Sequence, residues 1–388
     1  MDTGDTAWML TSTALVLLMT PGLAFFYGGL VRGRNAVSTI MLSFMAMTVV
    51  SLVWVFWGYS LAFGDGNSFI GDLSALALRG IKIDDIAAPT KIPTLLFAAY
   101  QMMFAIITPA LITGAVVERF KFTTYIVFLV LWVTLVYSPV AHWVWASTGW
   151  LFMANALDFA GGTVVHINAA VAALVAAIII GKRRDPGLEP HNVPFVVLGA
   201  GLLWFGWFGF NAGSALAANG QAVSALLVTN TAAAAGALVW GVLNQMQSGR
   251  IGAVGVATGA VAGLVAITPA AGFVEVGAAA VIGGVAGLIG YFGVIMRPKT
   301  GLDDALDVFA VHGMGGIWGS IATGIFAVAA VGGEGKGGLL DGNPAQLGVQ
   351  VMGVVATLVY SGVVSFIILK VLDVVMGLRP DEHTEAQG

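Results

Sequence analysis

The sequence contains no cysteine and few charged residues. Without cysteine, disulfides, iron–sulfur clusters and thiolate metal sites are excluded. Charged residues make up 9% of the 388 positions and hydrophobic residues 58%, whereas about 25% of the residues in soluble proteins are charged. No basic arm or interleaved aromatic patch predicts nucleic-acid binding. This composition excludes an ordinary soluble domain and indicates an integral membrane protein.

Long apolar runs dominate the chain, and about 20 apolar residues suffice to cross a bilayer as a helix. The N-terminus, MDTGDTAW, has no basic region and no clear cleavage site, so the first run is predicted to be a retained span. We predict an all-α integral membrane protein with one transmembrane domain over residues 1–376 and a cytoplasmic tail over residues 377–388. The eleven predicted transmembrane helices are 8–31, 37–62, 93–117, 123–146, 159–181, 193–216, 222–245, 252–272, 276–296, 304–330 and 346–376.

The basic residues between these runs are unevenly distributed over the two sides. With eleven alternating spans, twelve Lys and Arg residues fall on one side and four on the other. Basic residues are enriched on the cytoplasmic side of membrane proteins. The N-terminus is therefore predicted to lie outside and the C-terminus inside.

Two of the five histidines lie several residues inside an apolar run. His166 belongs to DFAGGTVVHINAA, which begins at Asp158, and His312 belongs to DVFAVHGMGGIWGS, which begins at Asp307. An ionisable group within a span is costly and usually functional. We predict that both histidines line a path, where two imidazoles could share one proton. A hydrogen bond between helices is the alternative for each of them.

The matching positions of these histidines suggest an internal repeat. The fifth and tenth runs each begin near an Asp and carry a histidine in mid-run. We expect two five-helix halves of opposite orientation, roughly residues 8–181 and 193–330, with an extra helix over 346–376. Transporter folds are often built this way, with the site between the halves.

The acids near these runs, and a third histidine, have alternative interpretations. Asp158 either caps the following helix or stabilises a cation at the outer mouth, and the two roles can coexist. Asp307 lies five residues before His312 and is interpreted as structural. His142, near the outer end of the fourth run, is interpreted as an interfacial residue.

Aromatic residues cluster near the outer ends of several runs, among them Tyr100, Phe104, Trp145 and Phe210, the last followed by Ser214. Many such residues form the interfacial belt or the core, but aromatic faces also attract cations. No acidic residue lies within the central spans, so a cation would be recognised at the mouth and poorly tolerated further in. Ammonium suits this arrangement because it becomes neutral by losing one proton.

From the residues alone, two other functions stay open. The first is a cation channel or a proton-coupled carrier for another solute. The second is a membrane redox protein in which two histidines are the axial ligands of a haem.

Six segments resemble signatures of the ammonium transporter (Amt/Mep/Rhesus) family. They are TPGLAFFYGGLVRGRN, GAVVERF, SPVAHWVW, DFAGGTVVHINAA, GWFGFNAGSA and DVFAVHGMGGIWG. They follow the order of the family, and the resemblance covers nearly the whole chain. It implies a homotrimer in the cell membrane, with eleven spans in two inverted halves and a pore through each protomer.

The resemblance also implies roles for particular residues. Trp145 and Ser214, with Phe104, match the outer site that recruits ammonium, and Asp158 matches an acid required near the entrance. Trp145 and Ser214 favour the Amt/Mep branch over the Rhesus branch.

Further in, Phe104 and Phe210 match the stacked rings that gate the pore, and His166 and His312 match its twin histidines. The resemblance thus implies transport of ammonium, and of methylammonium, as ammonia through an apolar pore, with no enzymatic activity, cofactor or metal. It also implies contact of the cytoplasmic loops and tail with a PII signal protein. The tail after Arg379, PDEHTEAQG, is shorter than in many relatives.

Overall fold

The apolar runs of the sequence form the helices of the protein. The computed structural model describes residues 1–187 and 189–388. Over these residues the chain forms helices and loops, with an isolated bridge between Ile86 and Pro93. Eleven helical segments, labelled α1 to α11 in chain order, cover Thr3–Leu30, Gly33–Phe63, Thr94–Val116, Phe122–Met153, Gly162–Ile180, Val193–Ala215, Gly220–Ser248, Ala253–Ile267, Val276–Thr300, 309–326 and Ala345–Met376.

The predicted class, an all-α membrane protein, is confirmed. Each predicted span overlaps one of the segments α1 to α11. Within the described ranges, nine segments are long and apolar enough to cross a membrane, and the other two are α8 and α10.

The two shorter segments differ from the predicted boundaries for local reasons. Helix α8 ends at Ile267, before the predicted end at residue 272. Pro269 follows, and proline supplies no backbone N–H to continue a helix. Segment α10 begins at Phe309, after the predicted start at residue 304. Asp307 has a φ of 58°, a left-handed conformation that a right-handed helix does not accommodate.

Three of the π-helical turns contain residues that the sequence marks as functional. Gly162–Ile167 contains His166, Phe208–Ala212 contains Phe210, and Phe309–Gly313 contains His312. A π-turn widens a helix by one residue and frequently occurs at functional sites. Each turn therefore changes the direction in which its ring points from the helix.

Helices α1 and α6 pack with their backbones in contact. A Cβ atom added at Gly199 would lie closer than 3.0 Å to the backbone of Phe26 and Gly22, and one at Gly29 would meet Asn192 equally closely. Small residues permit such close approach between membrane helices. This contact packs α1, the first helix of one predicted half, against α6, the first helix of the other half.

Glycines also determine the packing of α7, α8 and α9. Cβ atoms added at Gly263 or Gly283 would lie closer than 3.0 Å to the carbonyl oxygen of Ala232 on α7, and those at Gly259 or Gly287 would meet Gly236. These glycines therefore let α7, α8 and α9 approach one another closely.

The basic side of the bundle, defined as the side of the α3–α4, α5–α6 and α9–α10 connections, is held together by Arg119. Its buried guanidinium donates to the carbonyl oxygen of Gly181 at 2.8 Å and to that of Asp303. Arg183 forms an ion pair with Asp303 at 2.7 Å. Burial lowers the pKa of Arg119 to about 10, which leaves the guanidinium charged at neutral pH. Three connections are thereby fixed to one another.

His142 is not an interfacial residue, and that interpretation is wrong. Its side chain is fully buried. Its Nδ1 lies 2.9 Å from the carbonyl oxygen of Ala62 and its Nε2 lies 2.7 Å from that of Asn67. The α2–α3 connection folds back over α4, which the hydropathy of α4 alone does not reveal.

Candidate functional site

A series of ring contacts runs from the end of α4 opposite the basic side to the middle of the bundle. The ring of Phe104 lies 5.7 Å from that of Trp145, edge to face, and 4.3 Å from that of Phe210. Phe210 lies 6.1 Å from His166, and His166 lies 5.3 Å from His312. The structure thus brings five residues of the predicted site together in one row.

Ser214 joins this row through Tyr100. The hydroxyl of Ser214 donates to the carbonyl oxygen of Phe210 at 2.8 Å. The hydroxyl of Tyr100 lies 3.2 Å from that of Ser214 and 2.8 Å from the carbonyl oxygen of Gly209. Tyr100 therefore stabilises the π-turn that orients Phe210. Its own ring lies beside that of Phe104.

The two histidines meet directly. The Nδ1 atoms of His166 and His312 are 3.2 Å apart, and both rings are buried. Because a hydrogen bond needs one donor and one acceptor, one Nδ1 carries a proton and the other does not. The Nε2 of His166 has no hydrogen-bond partner among the described residues. Within residues 1–187 and 189–388, the structure thus bonds the two imidazoles to one another.

The histidines line a narrow cavity whose other walls are apolar. Its volume is about 10 Å³, about the minimum that holds one water molecule. The remaining lining residues are Met19, Leu23, Phe26, Ile107, Leu111, Val165, Leu203, Trp207, Phe210 and Val261. A wider cavity of about 290 Å³ extends from His312 to Arg297 and Asp307 on the basic side.

Asp158 organises the start of α5. Its buried carboxylate accepts the backbone N–H groups of Gly161 and Thr163 at 2.9 Å each and that of Val164 at 3.2 Å. It also accepts the hydroxyl of Thr163. These contacts favour the capping interpretation of Asp158. The left-handed φ of Gly161, 115°, lets the chain turn into the cap, which glycine tolerates without steric cost.

The backbone of Asp158 also contacts Trp145. The indole N–H of Trp145 donates to the carbonyl oxygen of Asp158 at 2.9 Å. The same residue therefore orients Trp145 with its backbone and the helix of His166 with its side chain.

Asp304 plays the corresponding part for His312, and the sequence analysis missed it. Its carboxylate accepts the backbone N–H groups of Val308 at 3.0 Å and Phe309 at 2.7 Å. Asp304 precedes His312 by eight residues, as Asp158 precedes His166. That equal spacing is the signal that would have identified Asp304.

Asp307 and Trp207 complete the surroundings of the histidines. Asp307 pairs with Arg297, so its structural interpretation is confirmed. The indole of Trp207 stacks on His166 with ring centres 5.5 Å apart and planes at 15°. Trp207 was not predicted, although it lies three residues before Phe210 in GWFGFNAGS.

A bundle with nine membrane-length apolar helices among the described residues, which encloses two histidines in a narrow apolar cavity, fits a multi-pass membrane transporter. A model of the Ammonium Transporter Family matches residues 7–388. The chain belongs to this family, and ammonium transport across the cell membrane is the function that the family defines.

Relatives of both the Amt and the Mep type are similar over the whole chain. The ammonium transporter of Aquifex aeolicus is 52% identical over 390 residues, covering 100% of this chain and 91% of that protein. Ammonium transporter Amt1 of Archaeoglobus fulgidus is 49% identical over 392 residues, covering 100% and 97%. The crystal structure of Saccharomyces cerevisiae Mep2 superposes with a TM-score of 0.92 at 40% identity, covering 99% of this chain and 88% of that chain.

Proposed function

We propose that the protein binds ammonium at the outer aromatic site and conducts it as ammonia past the two histidines. The observation that carries this proposal is the 3.2 Å contact between the Nδ1 atoms of His166 and His312. This contact lies in an apolar cavity of about 10 Å³. A path of this size and polarity suits one small neutral molecule at a time.

Recruitment relies on Trp145, Phe104 and Ser214. An aromatic face attracts a desolvated cation by about 2 kcal/mol. The hydroxyl of Ser214 donates to Phe210, which leaves its oxygen lone pairs free to accept an N–H of ammonium. Asp158 supports this site by orienting Trp145 through its backbone carbonyl oxygen.

The gate formed by Phe104 and Phe210 discriminates by charge. The two rings lie 4.3 Å apart, so a solute must displace them to pass. Moving an ion into a medium of low dielectric constant without a partner costs tens of kcal/mol in the Born estimate. Ammonium avoids this cost by transferring its proton to a water molecule on the outer side of the gate and crossing as ammonia, whereas K⁺ and Na⁺ keep their charge.

The histidine pair then offers ammonia both kinds of hydrogen bond. When one Nδ1 donates to the other, the donor ring has a bare Nε2 and the acceptor ring has a protonated Nε2. The path is thereby lined by one acceptor and one donor without a net charge. Ammonia both donates and accepts hydrogen bonds. The two Nε2 atoms therefore replace hydrogen bonds that it loses on leaving water for the apolar section.

The architecture that we propose around this path has eleven spans in two inverted halves, with the N-terminus outside. The matching pairs Asp158/His166 and Asp304/His312, each ending in a π-turn, support this symmetry. The predominance of Lys and Arg in the loops of the basic side supports a cytoplasmic location for that side.

Three further proposals follow from the family resemblance. The protein assembles as a homotrimer with a pore in each protomer. Methylammonium is a second substrate, since it retains the N–H groups that the path can accept. A PII signal protein binds to the loops and tail on the basic side. We propose no enzymatic activity.

An ammonium jump applied to purified protein on a solid-supported membrane tests the mechanism, with wild type compared to His166→Asp and His312→Glu. We expect the wild type to take up labelled ammonium and both variants to change the flux or its selectivity. A current in the wild type means that the proton follows the ammonia, and uptake without a current means that neutral ammonia passes alone. If both variants keep wild-type flux and selectivity, the histidine pair does not have the proposed role.

The two alternatives make different predictions. A haem between the histidines does not fit, because their Nδ1 atoms are in direct contact and the cavity of about 10 Å³ has no room for a porphyrin. A carrier or channel for another cation would show K⁺ flux without ammonium or methylammonium flux when the purified protein is reconstituted in liposomes.

A further inference from the structure

Gln350 on α11 bridges the connection that leads into α5, the helix of His166, and α10, the helix of His312. Its side-chain Oε1 accepts the backbone N–H of Leu157 at 2.8 Å, and its Nε2 donates to the carbonyl oxygen of Leu157 at 2.8 Å. The same Nε2 donates to the carbonyl oxygen of Ser320 at 3.0 Å. Oε1 also accepts from Gln346 at 3.2 Å. The side chain is buried, and all four hydrogen-bonding positions of the amide are used.

This arrangement requires a primary amide. Leu157 presents an N–H and a carbonyl oxygen to the same side chain, so the side chain must accept and donate at adjacent atoms. Glutamine does both, as a neighbouring β-strand would. A methionine of the same length offers neither, and a carboxylate offers only acceptors.

The contact with Leu157 controls the next residue, Asp158. The carbonyl group of Leu157 and the N–H of Asp158 belong to one rigid planar peptide. Fixing that peptide fixes the start of the Asp158 side chain, which caps the π-turn of His166. It also fixes the residue whose carbonyl oxygen accepts the indole N–H of Trp145.

The contact with Ser320 reaches the other histidine. Ser320 lies on α10, which continues from the π-turn of His312 without interruption. Helix α10 is packed tightly there, since a Cβ added at Gly324 would lie 2.9 Å from the Cγ of Gln350. One side chain from the helix outside the two predicted halves thus holds a backbone group just before the His166 segment and another on the His312 segment.

We propose that Gln350 is a positioning residue that sets the relative placement of His166 and His312. It contacts neither the histidines nor the outer site and acts through Leu157, Asp158 and α10. The inference rests on the proposed function of the histidine pair. Sites of this kind need their groups held within about 0.5 Å, and a misplacement of about 1 Å can cost about 100-fold in rate.

The test compares Gln350→Met with Ser365→Ala and the wild type in proteoliposomes of the same lipid composition. Ser365 lies on the same helix and accepts the indole N–H of Trp132 on α4 at 2.9 Å, so its hydrogen bond joins α11 to a helix that carries neither histidine. Both variants lose buried hydrogen bonds, so we expect both to lower the unfolding temperature by a few degrees. Gln350→Met should in addition reduce selectivity for ammonium over K⁺ by about tenfold or more. Ser365→Ala should leave selectivity and the rate per folded protein near wild type.

Gln350→Glu provides a second variant if the methionine variant does not fold. It keeps an acceptor for Leu157 but turns a carboxylate towards the carbonyl oxygens of Leu157 and Ser320. We expect a loss of selectivity at least as large. Wild-type selectivity and rate per folded protein in the Gln350 variants, with only yield or unfolding temperature reduced, would overturn the inference.

A double variant, His166→Ala with His312→Ala, separates the inference from the function on which it rests. If the double variant loses selectivity while the Gln350 variants keep it, positioning by Gln350 is wrong and the proposed function stands. If the double variant also keeps wild-type selectivity, the proposed function itself fails.

Discussion

At the scale of single residues, the site is built from side chains whose hydrogen-bonding capacity matches their surroundings. Asp158 and Asp304 each turn a carboxylate towards the free N–H groups that begin a histidine segment. His166 and His312 satisfy one another. These matches explain why an acid and an imidazole stand in apolar sequence without adding a net cation to the path.

The cap on the second segment leads to a prediction for Asp304→Asn. An asparagine keeps one acceptor oxygen, but its NH₂ group faces the other backbone N–H, which leaves a buried donor unpaired at a cost of about 1–3 kcal/mol. We expect Asp304→Asn to lower the unfolding temperature and to slow ammonium uptake several-fold. We expect the same of Asp158→Asn. Uptake into proteoliposomes and thermal unfolding measure both effects.

Asp185→Asn is the matched control for that substitution. Its carboxylate pairs with Arg32 while 71% exposed, and an exposed pair contributes about 1 kcal/mol or less. Wild-type uptake by Asp304→Asn would show that the cap does not position His312.

At the scale of elements, backbone proximity between helices decides how rigid the scaffold is. Helices α7, α8 and α9 approach so closely that side chains larger than hydrogen do not fit at several positions. In lipid, where apolar burial offers no driving force between helices, such packing is a main source of association. Three of the π-turns occur in α5, α6 and α10, which carry His166, Phe210 and His312.

Two adjacent glycines on α9 allow a matched test of this packing. A Cβ at Gly283 would lie closer than 3.0 Å to the backbone of Ala232, whereas at Gly284 the nearest atom, on Val239, is 3.6 Å away. We expect Gly283→Ala to destabilise the protein by about 1–3 kcal/mol through overpacking. Gly284→Ala should be neutral or stabilising, because alanine favours a helix over glycine by about 0.5–1 kcal/mol.

Thermal unfolding of the two variants in the same detergent decides between these outcomes. Equal unfolding temperatures would mean that α9 shifts to accommodate the extra methyl group and that the close packing is not required.

At the scale of the whole molecule, the connections on the basic side behave as one unit. Arg119 bonds to two carbonyl oxygens from different connections, and Arg183 pairs with Asp303 between them. The tail joins this unit, because Arg379 donates to the carbonyl oxygen of Lys182 at 2.8 Å. The wide cavity below His312 is lined in part by Pro190 and Ala305, which belong to two of these connections.

This unit predicts that Arg119→Lys is not conservative. The planar guanidinium serves two carbonyl oxygens in a fixed geometry, while an ammonium is a single point donor on a flexible stem. Leaving a buried carbonyl oxygen unpaired costs about 1–3 kcal/mol. We expect Arg119→Lys to lower the unfolding temperature and the yield of folded protein, with Arg250→Lys, at an exposed position, as the control. Equal stability of the two variants would contradict a structural role for Arg119.

The sequence predicts the helices of this protein better than it predicts the contacts between them. Apolar length predicted the helical segments, and motif order predicted the family, since both are properties of consecutive residues. Helix ends at Ile267 and Phe309 were missed, because a proline and a left-handed Asp307 stop a helix without changing its hydropathy. Asp304 was overlooked because Asp307 lies closer to His312 along the chain.

The sequence by itself determined that this is an all-α membrane protein of the ammonium transporter family with two histidines inside apolar helices. Only the tertiary structure decided which atoms meet. The Nδ1 contact joins residues 146 positions apart, and the bonds of Gln350 to Leu157 join residues 193 apart. Hydropathy and motif spacing describe a helix along its own axis. The rotation and depth of one helix against another follow from packing, and these set the distance between the two histidines.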